Sequence, residues 1–212
     1  MPSTSSRAAS GIFSPGNPDR VRWRRVWVCL LALAALLGPL AVTAENGLPA
    51  SQQVPLLLKI LTYDRQLAAK AGSELTIGIV YVPGNSDSAK VTSDISGTLQ
   101  RFTGKTVKSL PIRHWTIEYV TAERLEAVLR EKSVNVIYVS PGNERNLATI
   151  LRLSKAQHIT TTTGVPEYVK RGVAVGIGSR QGKPEILINL ESSKSEGSEF
   201  DAGLLRMATV VQ

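Results

Sequence analysis

Three short apolar runs alternate with amphipathic segments along the chain, and this alternation restricts the fold more than any other feature. Residues 75–82 (LTIGIVYV) are almost continuously apolar, which is typical of a strand buried on both faces of a parallel sheet. Residues 116–120 and 134–140 have the composition of a second and a third strand. Each run is followed by apolar residues at helical spacing. A repeating strand and helix predicts a three-layer, Rossmann-like or flavodoxin-like α/β domain with a mostly parallel sheet.

The helices of this repeat have recognisable starts. An amphipathic helix is predicted for residues 50–67, and a second one follows the Pro-Gly-Asn sequence at 83–85 and stops at Gly104. Thr121 is a predicted N-cap for the next helix, and Asn143 for the one after it.

The C-terminal part of the chain departs from the repeat. Residues 158–163 are rich in β-branched threonine and predict a fourth strand. Residues 173–178 and 185–190 flank a polar turn containing Gly182, so we expect an antiparallel hairpin at the edge of the sheet. A last helix is predicted within 201–211, and the serine- and glutamate-rich tract at 191–199 is predicted to be solvated.

The first 44 residues have the pattern of an export signal. Four arginines between 20 and 25 precede an apolar stretch at 26–42, and Val42 and Ala44 are the small residues that signal peptidase prefers. We therefore predict export with cleavage after Ala44, and a single domain at 45–212. The alternative is that the stretch at 26–42 is retained as a membrane anchor.

Charge and cysteine content exclude several classes of function. The leader carries four of the eight net positive charges, and no Lys/Arg cluster of nucleic-acid-binding length follows it, so nucleic-acid binding is not expected. The one cysteine, Cys29, lies in the leader. The remaining chain therefore has no disulfide, thiol nucleophile or cysteine metal site.

No catalytic or cofactor motif is recognisable. A glycine-rich phosphate loop is absent after the first strand, and Gly176 and Gly178 are better explained as close packing within a strand. His114 and His158 are the two histidines and lack carboxylates at ligand spacing, so no metal site is predicted. No serine stands in a nucleophile elbow. We expect a protein that is not an enzyme and uses no cofactor.

A few polar side chains lie near predicted strand ends, where open α/β sheets bind ligands. These candidates for binding a small ligand are Tyr81, Glu118, Thr161 and Thr163, with Tyr119 beside Glu118. For the threonines, β-strand propensity is an equally good explanation.

The order and spacing of motifs from residue 50 to 211 resemble the YfiR/HmsC family of periplasmic regulators. The resemblance depends on Lys59, Tyr63 and Asp64 in the first helix, and on Thr161, Thr163, Tyr168, Arg171-Gly172, Ile186-x-Ile188-Asn189 and Leu204-Leu205-x-Met207-Ala208. Gly164 stands where the family often has Asp. The family's best-known type also uses cysteines for redox sensing, which this chain lacks after its leader.

The resemblance implies a non-enzymatic repressor that binds the periplasmic sensor domain of an inner-membrane diguanylate cyclase, lowers cyclic di-GMP and restrains biofilm formation. It also implies a homodimer. Tyr63, Tyr168 and Arg171 are our candidates for partner contacts, because aromatic and arginine side chains are enriched in binding hot spots. The alternative function is a small-molecule binding module resembling one lobe of a periplasmic solute receptor.

Overall fold

Eight strands form one sheet in the computed structural model, which describes residues 47–211. Their spatial order is β2-β3-β1-β4-β5-β6-β7-β8. The strands are β1 (Leu75–Tyr81), β2 (Thr106–Val107), β3 (Leu110–Glu118), β4 (Val136–Val139), β5 (Thr160–Thr163), β6 (Val175–Arg180), β7 (Lys183–Asn189) and β8 (Thr209–Val211). The predicted leader, its cleavage after Ala44 and the alternative anchor at 26–42 lie outside the described residues.

Eight helices connect these strands within the described part of the chain. They are α1 (Ala50–Leu61), α2 (Leu67–Ala71), α3 (Ser86–Gln100), α4 (Ala122–Glu131), α5 (Leu147–Gln157), α6 (Pro166–Lys170), α7 (Leu190–Ser195) and α8 (Ala202–Leu205). None of the helices between residues 47 and 211 is long and apolar enough to cross a membrane.

The central strands confirm the predicted parallel, flavodoxin-like sheet. Strands β3, β1, β4, β5 and β6 pair in parallel, whereas the β2–β3 and β6–β7 pairs are antiparallel. The chain leaves β1 toward β3 on one side and returns to β4 on the other side. The order of connections therefore reverses between β1 and β4, and this is the switch point at which open α/β sheets form a crevice.

Apolar side chains fill both faces of the sheet, which makes the domain three-layered as predicted. On one face, α1 and α3 pack against side chains that include Ile77 and Ile79 of β1. On the other face, α4, α5 and α6 pack against side chains that include Val80 and Ile137. Burying each such side chain contributes about 1.5–3 kcal/mol, so the two apolar layers hold the strand ends in place.

Two features at the ends of the sheet differ from prediction. The third strand in chain order begins at Leu110 and pairs with the short β2, a hairpin that sequence reasoning missed. The predicted C-terminal hairpin is present as β6 and β7, but β8 pairs in parallel outside β7 and forms the edge. The predicted last helix ends at Leu205, because the β-branched residues of β8 favour an extended chain.

Two further predictions were wrong in detail. Helix α5 begins at Leu147 with Asn146 in the N-cap position, while Asn143 uses its side chain elsewhere. The tract at 191–199 is not a solvated segment, because it contains α7 and buries Ser192, Ser193, Glu196 and Ser198. The Asn189 carboxamide oxygen accepts a hydrogen bond from the Ser192 amide (2.9 Å) and caps this helix.

Candidate functional site

The same tripeptide, Pro-Gly-Asn, follows both strands of the switch point. It occurs at 83–85 after β1 and at 141–143 after β4. Gly84 and Gly142 have φ angles of +76° and +85°, a backbone region that glycine enters without steric cost. The turns touch, because a Cβ atom on Gly142 would lie 2.7 Å from Nδ2 of Asn85. The sequence repeat therefore builds two adjoining turns at the switch point.

Side-chain hydrogen bonds hold both turns rigidly. Nδ2 of Asn143 donates to the carbonyl oxygens of Val80 (3.2 Å) and Ser140 (3.0 Å), which ties the second turn to the first strand. The hydroxyls of Thr92 and Ser140 are 2.7 Å apart. Oδ1 of Asn85 accepts from the Ser88 amide (2.9 Å) at the start of α3. A ligand or partner would meet a preformed surface here.

The predicted ligand-binding residues Tyr81 and Glu118 lie at strand ends beside these turns. They are the last residues of β1 and β3 and are direct partners in the parallel register, so their side chains point to the same face of the sheet. The Tyr119 amide donates to the Tyr81 carbonyl (2.8 Å) and continues the pairing. Tyr81 is partly buried and Glu118 is exposed. The structure thus brings together a phenol and an accessible carboxylate.

The other two predicted ligand-binding residues, Thr161 and Thr163, are fully buried in β5. Oγ1 of Thr161 donates to Oε1 of Glu196 (2.8 Å) and accepts from the Ala174 amide (3.0 Å). Oγ1 of Thr163 donates to the Val139 carbonyl (2.9 Å) and accepts from the Val165 amide (3.1 Å). A ligand would reach these hydroxyls only if the interior hydrogen bonds opened.

Two of the predicted partner-contact residues, Tyr168 and Arg171, adjoin the second turn through Glu144. The Tyr168 hydroxyl donates to Oε1 of Glu144 (2.6 Å) and accepts from the Asn143 amide (3.1 Å), while its ring is buried. The exposed Arg171 donates from Nη2 to the Glu144 carbonyl (2.8 Å). Tyr63 packs with the apolar layer on the opposite face and lies outside this group.

The ionisation of this group follows from its contacts. The hydrogen bond from Tyr168 lowers the pKa of Glu144, and Arg171 acts in the same direction. Burial, with the nearby Glu144 carboxylate as a second cause, raises the pKa of the Tyr168 phenol. Glu144 is therefore a carboxylate at neutral pH, and the phenol keeps its proton as a donor.

A second polar cluster lies at the opposite, amino-terminal edge of the parallel strands, and its centre is the fully buried Glu196. Its carboxyl group accepts from the Thr161 amide (2.8 Å), the Thr161 hydroxyl (2.8 Å) and the Ser154 hydroxyl (2.9 Å). Burial raises the pKa of Glu196 to about 7, while these hydrogen bonds and Lys70 oppose the shift. Glu196 thus fastens the tract after β7 to β5.

Lys70 links this cluster to the end of α1. Its Nζ donates to the hydroxyls of Thr160 (2.6 Å) and Ser198 (2.7 Å), and it lies 3.7 Å from Oδ2 of the fully buried Asp64. Burial lowers the pKa of Lys70, and the neighbouring Asp64 and Glu196 carboxyl groups oppose that change. Asp64 is one of the residues on which the family resemblance depends, and its position is structural.

Sequence reasoning missed two features that bear on the site. The repeated Pro-Gly-Asn was visible in the sequence, but the two copies become informative only when their strands are neighbours. The buried role of Glu196 had no local signal, because the surrounding residues are serine, lysine and glutamate.

The predicted packing role of Gly176 is confirmed, since a Cβ atom there would lie 2.4 Å from Cγ2 of Val169 in α6. Within the described residues, no group of three or more potential metal-ligating side chains occurs.

These features define a flavodoxin-like α/β domain with two hydrogen-bonded turns at its switch point. The chain belongs to the YfiR/HmsC-like family, whose model matches residues 54–209. This is a family of periplasmic, regulatory, non-catalytic proteins. A search of curated proteins gives no significant match.

Two solved structures share the fold at low sequence identity. A conserved domain protein from Vibrio cholerae O1 biovar El Tor str. N16961 superposes with a TM-score of 0.55 and 15% identity. The ABC domain from Streptococcus pneumoniae, in complex with L-Trp, superposes with a TM-score of 0.54 and 15% identity. Each match covers 77% of this chain and 60% of the other, so this chain spans less than two thirds of either protein. At this identity the likeness establishes the fold alone.

Proposed function

We propose that this protein is a periplasmic, non-enzymatic repressor that binds the sensor domain of an inner-membrane diguanylate cyclase and lowers cyclic di-GMP signalling. The observation that carries the proposal is the family match over residues 54–209, which covers nearly all of the described domain. A repressor of this kind acts by binding the inactive conformation of its target more tightly than the active one. Moving a target from mostly active to mostly inactive requires a differential affinity of about 5.5 kcal/mol.

The surface beside the second Pro-Gly-Asn turn is suited to such a contact. Arg171 and Glu144 are exposed there, and both are held by hydrogen bonds to rigid elements. A pre-organised charged pair loses little conformational entropy on binding. Of the three predicted partner residues, Arg171 can touch a partner directly, and the buried Tyr168 would act by positioning Glu144. Tyr63, on the opposite face, would belong to a separate contact.

The partner can be identified by crosslinking. The tagged protein is expressed in its source cell, crosslinked in the periplasm, purified and analysed by mass spectrometry. The proposal expects recovery of a membrane protein that has a periplasmic sensor and a cytoplasmic cyclase domain, and weaker recovery with Arg171→Glu. Lys183→Glu, a change of the same charge at an exposed hairpin residue, serves as the matched control. Recovery of this protein alone, under conditions that capture a known complex, would overturn the repressor proposal.

The family resemblance also leads us to propose a homodimer. Sedimentation velocity over a range of concentrations measures the mass directly. A dimer predicts twice the monomer mass, with a sedimentation coefficient that depends on protein concentration. A single monomeric boundary at every concentration of an about 100-fold dilution series would contradict it.

The alternative proposal is a small-molecule binding module that uses the strand ends beside the two turns. It is favoured by the position of Tyr81 and Glu118 at the switch point, where α/β sheets bind ligands, and by the fold shared with a domain solved with L-Trp. The carboxylate of Glu118 would bind an amino group and the Tyr81 ring would contact an apolar portion. An amino acid is the class of ligand that fits these groups.

A thermal-shift measurement with a panel of amino acids tests this alternative, because a ligand that binds only the folded state raises the melting temperature. Glu118→Gln should weaken ligand affinity at least fivefold and thereby reduce the shift in melting temperature. Glu123→Gln, which changes an exposed carboxylate on α4, should leave it unchanged. No shift with any amino acid at millimolar concentration would contradict the binding module and leave the repressor proposal unaffected.

A further inference from the structure

Strand β3 is open, over most of its length, on the side that faces away from β1. The short strand β2 covers that side at Leu110 and Pro111. From Ile112 to Glu118 the strand pairs with β1, and no backbone hydrogen bond reaches its other side within the described residues. We call this stretch the open side of β3. An unpaired strand of this length is a template for pairing with another chain.

One hydrogen bond assigns the backbone groups that face the open side. The Tyr119 amide donates to the Tyr81 carbonyl of β1 (2.8 Å), so Tyr119 directs its amide toward β1. Successive residues of a strand direct their backbone groups to opposite sides. His114, Thr116 and Glu118 therefore direct their amides and carbonyls away from β1. These are the groups to which a further strand would bond.

The open side lacks the features that usually prevent pairing between chains. The proline of β3, Pro111, lies in the part covered by β2, and the register to β1 contains no bulge. Trp115 is 37% exposed, and Val120, just beyond the strand, is 60% exposed. They are two of the four exposed large apolar side chains between residues 47 and 211. The other end of the sheet offers only the three residues of β8.

The open side is complementary to itself when two copies run antiparallel about Thr116. In this register His114 of each copy faces Glu118 of the other, and the two Thr116 residues face each other. These residues carry the outward backbone groups, so about six hydrogen bonds can form between the strands. An imidazole opposite a carboxylate is a favourable cross-strand pair.

The same register also pairs apolar side chains. Val120 faces Ile112 of the other copy, and Trp115 faces Ile117. The neighbouring register, centred on Trp115, would place Glu118 opposite Ile112 and lose both imidazole–carboxylate pairs. The chemistry of the strand therefore favours the register centred on Thr116.

From this complementarity we propose that a second copy of the chain pairs antiparallel with the open side of β3 and joins the two eight-stranded sheets. The same residues contribute from both copies, so the assembly closes at two subunits. The inference assigns a surface to the homodimer proposed above and rests on that proposal. It does not depend on the identity of the cyclase partner.

Disulfide trapping tests the register. The full-length gene carries Cys29→Ser and Thr116→Cys, and the protein is purified from its source cell under mild oxidation. Facing residues of an antiparallel pair have Cα atoms about 5.5 Å apart, within disulfide reach. We expect a covalent dimer on a non-reducing gel. Arg113→Cys is the matched exposed control, because those two thiols would lie about 20 Å apart. Equal crosslinking from both positions would overturn the proposed pairing.

Sedimentation velocity tests the charge complementarity. His114→Glu places carboxylates opposite Glu118 in both symmetric positions and should weaken the dimer at least tenfold. Adding Glu118→Lys should restore it, because each pair again has opposite charges. Lys183→Glu, at the exposed hairpin, should change dimer affinity less than twofold.

A proline variant separates loss of pairing from loss of folding. Thr116→Pro removes one outward amide and no hydrogen bond to β1, so it should abolish the dimer while the folded monomer persists by circular dichroism. A dimer that neither Thr116→Pro nor His114→Glu weakens overturns this surface and leaves the homodimer proposal standing. An original protein that is monomeric at every concentration overturns both.

Discussion

The two edges of the central sheet use polar residues in opposite ways. At the carboxyl-terminal edge, beside the two Pro-Gly-Asn turns, the charged side chains of Glu118, Glu144 and Arg171 are exposed to solvent. At the amino-terminal edge, Asp64 and Glu196 are fully buried. Asp64 accepts from two backbone amides and lies 3.7 Å from the Lys70 ammonium, whereas hydroxyl groups donate to Glu196. The charged groups of the first edge face solvent, whereas those of the second edge are buried and bonded inside the fold.

This difference predicts which edge contributes to binding and which edge contributes to stability. A buried charge that loses its partner costs several kcal/mol, whereas an exposed charge held by one or two hydrogen bonds costs little to remove. Substitutions at the amino-terminal edge should therefore act mainly on the free energy of unfolding. Those at the carboxyl-terminal edge should act mainly on binding.

The largest effect is expected from Lys70→Met. This change leaves the buried Asp64 carboxylate without its countercharge and removes a donor from Thr160 and Ser198, so we expect a loss of about 3–5 kcal/mol in the free energy of unfolding. Urea denaturation measures this loss. Arg171→Met at the other edge is the control, with an expected loss below about 1 kcal/mol.

Adding Asp64→Asn sharpens the result. The double variant should recover part of the stability lost by Lys70→Met, because the unpaired Asp64 carboxylate is then replaced by a neutral amide. If Lys70→Met and Arg171→Met lower the free energy of unfolding equally, the proposed contrast between the two edges is wrong.

The second prediction concerns the pH dependence that Glu196 produces. Its pKa in the folded state is about 7, above the ordinary value of 4.5, so the folded protein binds more protons than the unfolded chain between these values. Stability from this group is therefore full below about pH 4.5 and falls as pH rises to about 7, by up to about 3 kcal/mol.

Glu196→Gln should remove this slope, since a neutral amide can replace the protonated carboxyl group. It should match the original protein at pH 5 and exceed its stability at pH 8 by up to about 3 kcal/mol. Burial lowers the pKa of His114, which gives an opposite slope below pH 6.5, but both proteins share it. The difference between their stability curves isolates Glu196, and a constant difference from pH 5 to pH 8 would contradict the assignment.

These two predictions also mark the limit of what the sequence could reveal. Strands β1 and β4 were predictable because a strand buried on both faces needs an unbroken apolar run. Strand β3 was placed too short, because its exposed positions, among them Pro111 and Arg113, interrupt the apolar pattern. Tyr81 and Glu118 could be placed at strand ends, since that needs only the strand boundaries. The setting of Glu196 could not be anticipated, because its partners Thr161 and Ser154 lie 35 and 42 residues away.

The third prediction tests the packing of the carboxyl-terminal edge at Gly164. A Cβ atom there would lie 2.6 Å from Oε1 of Gln53 and 2.7 Å from the Tyr138 hydroxyl oxygen, two groups that hydrogen-bond to each other at 2.7 Å. Gly164→Ala should cost about 1–3 kcal/mol.

A helical glycine provides the control for this measurement. No heavy atom lies within 4 Å of a Cβ placed on Gly97 in α3, so Gly97→Ala should stabilise the protein by about 0.5–1 kcal/mol. Thermal and urea unfolding should show the two substitutions with opposite signs. The same sign for both would mean that Gln53 and Tyr138 move aside without cost.

The smallest effect is expected from Tyr168→Phe, which removes one hydroxyl from the group that links the second turn to Arg171. The Asn143 amide loses its acceptor and Glu144 loses its main donor, so stability should fall by about 1 kcal/mol. The pKa of Glu144 should rise toward its ordinary value, because the lost hydrogen bond is the leading cause of its depression. NMR titration of the Glu144 carboxyl group measures this change.

A depressed carboxyl pKa stabilises the fold above the ordinary pKa, and this stabilisation is lost as pH falls. Tyr168→Phe should therefore flatten the acid side of the curve of stability against pH.

Partner binding then distinguishes the two parts of this surface. Because the Tyr168 ring is buried, any loss of partner affinity must arise through a displaced Glu144 or Arg171. We expect that loss to be smaller than the loss caused by Arg171→Gln. A Glu144 pKa that stays low in Tyr168→Phe would show that another group holds the carboxylate, and the positioning role of Tyr168 would then be wrong.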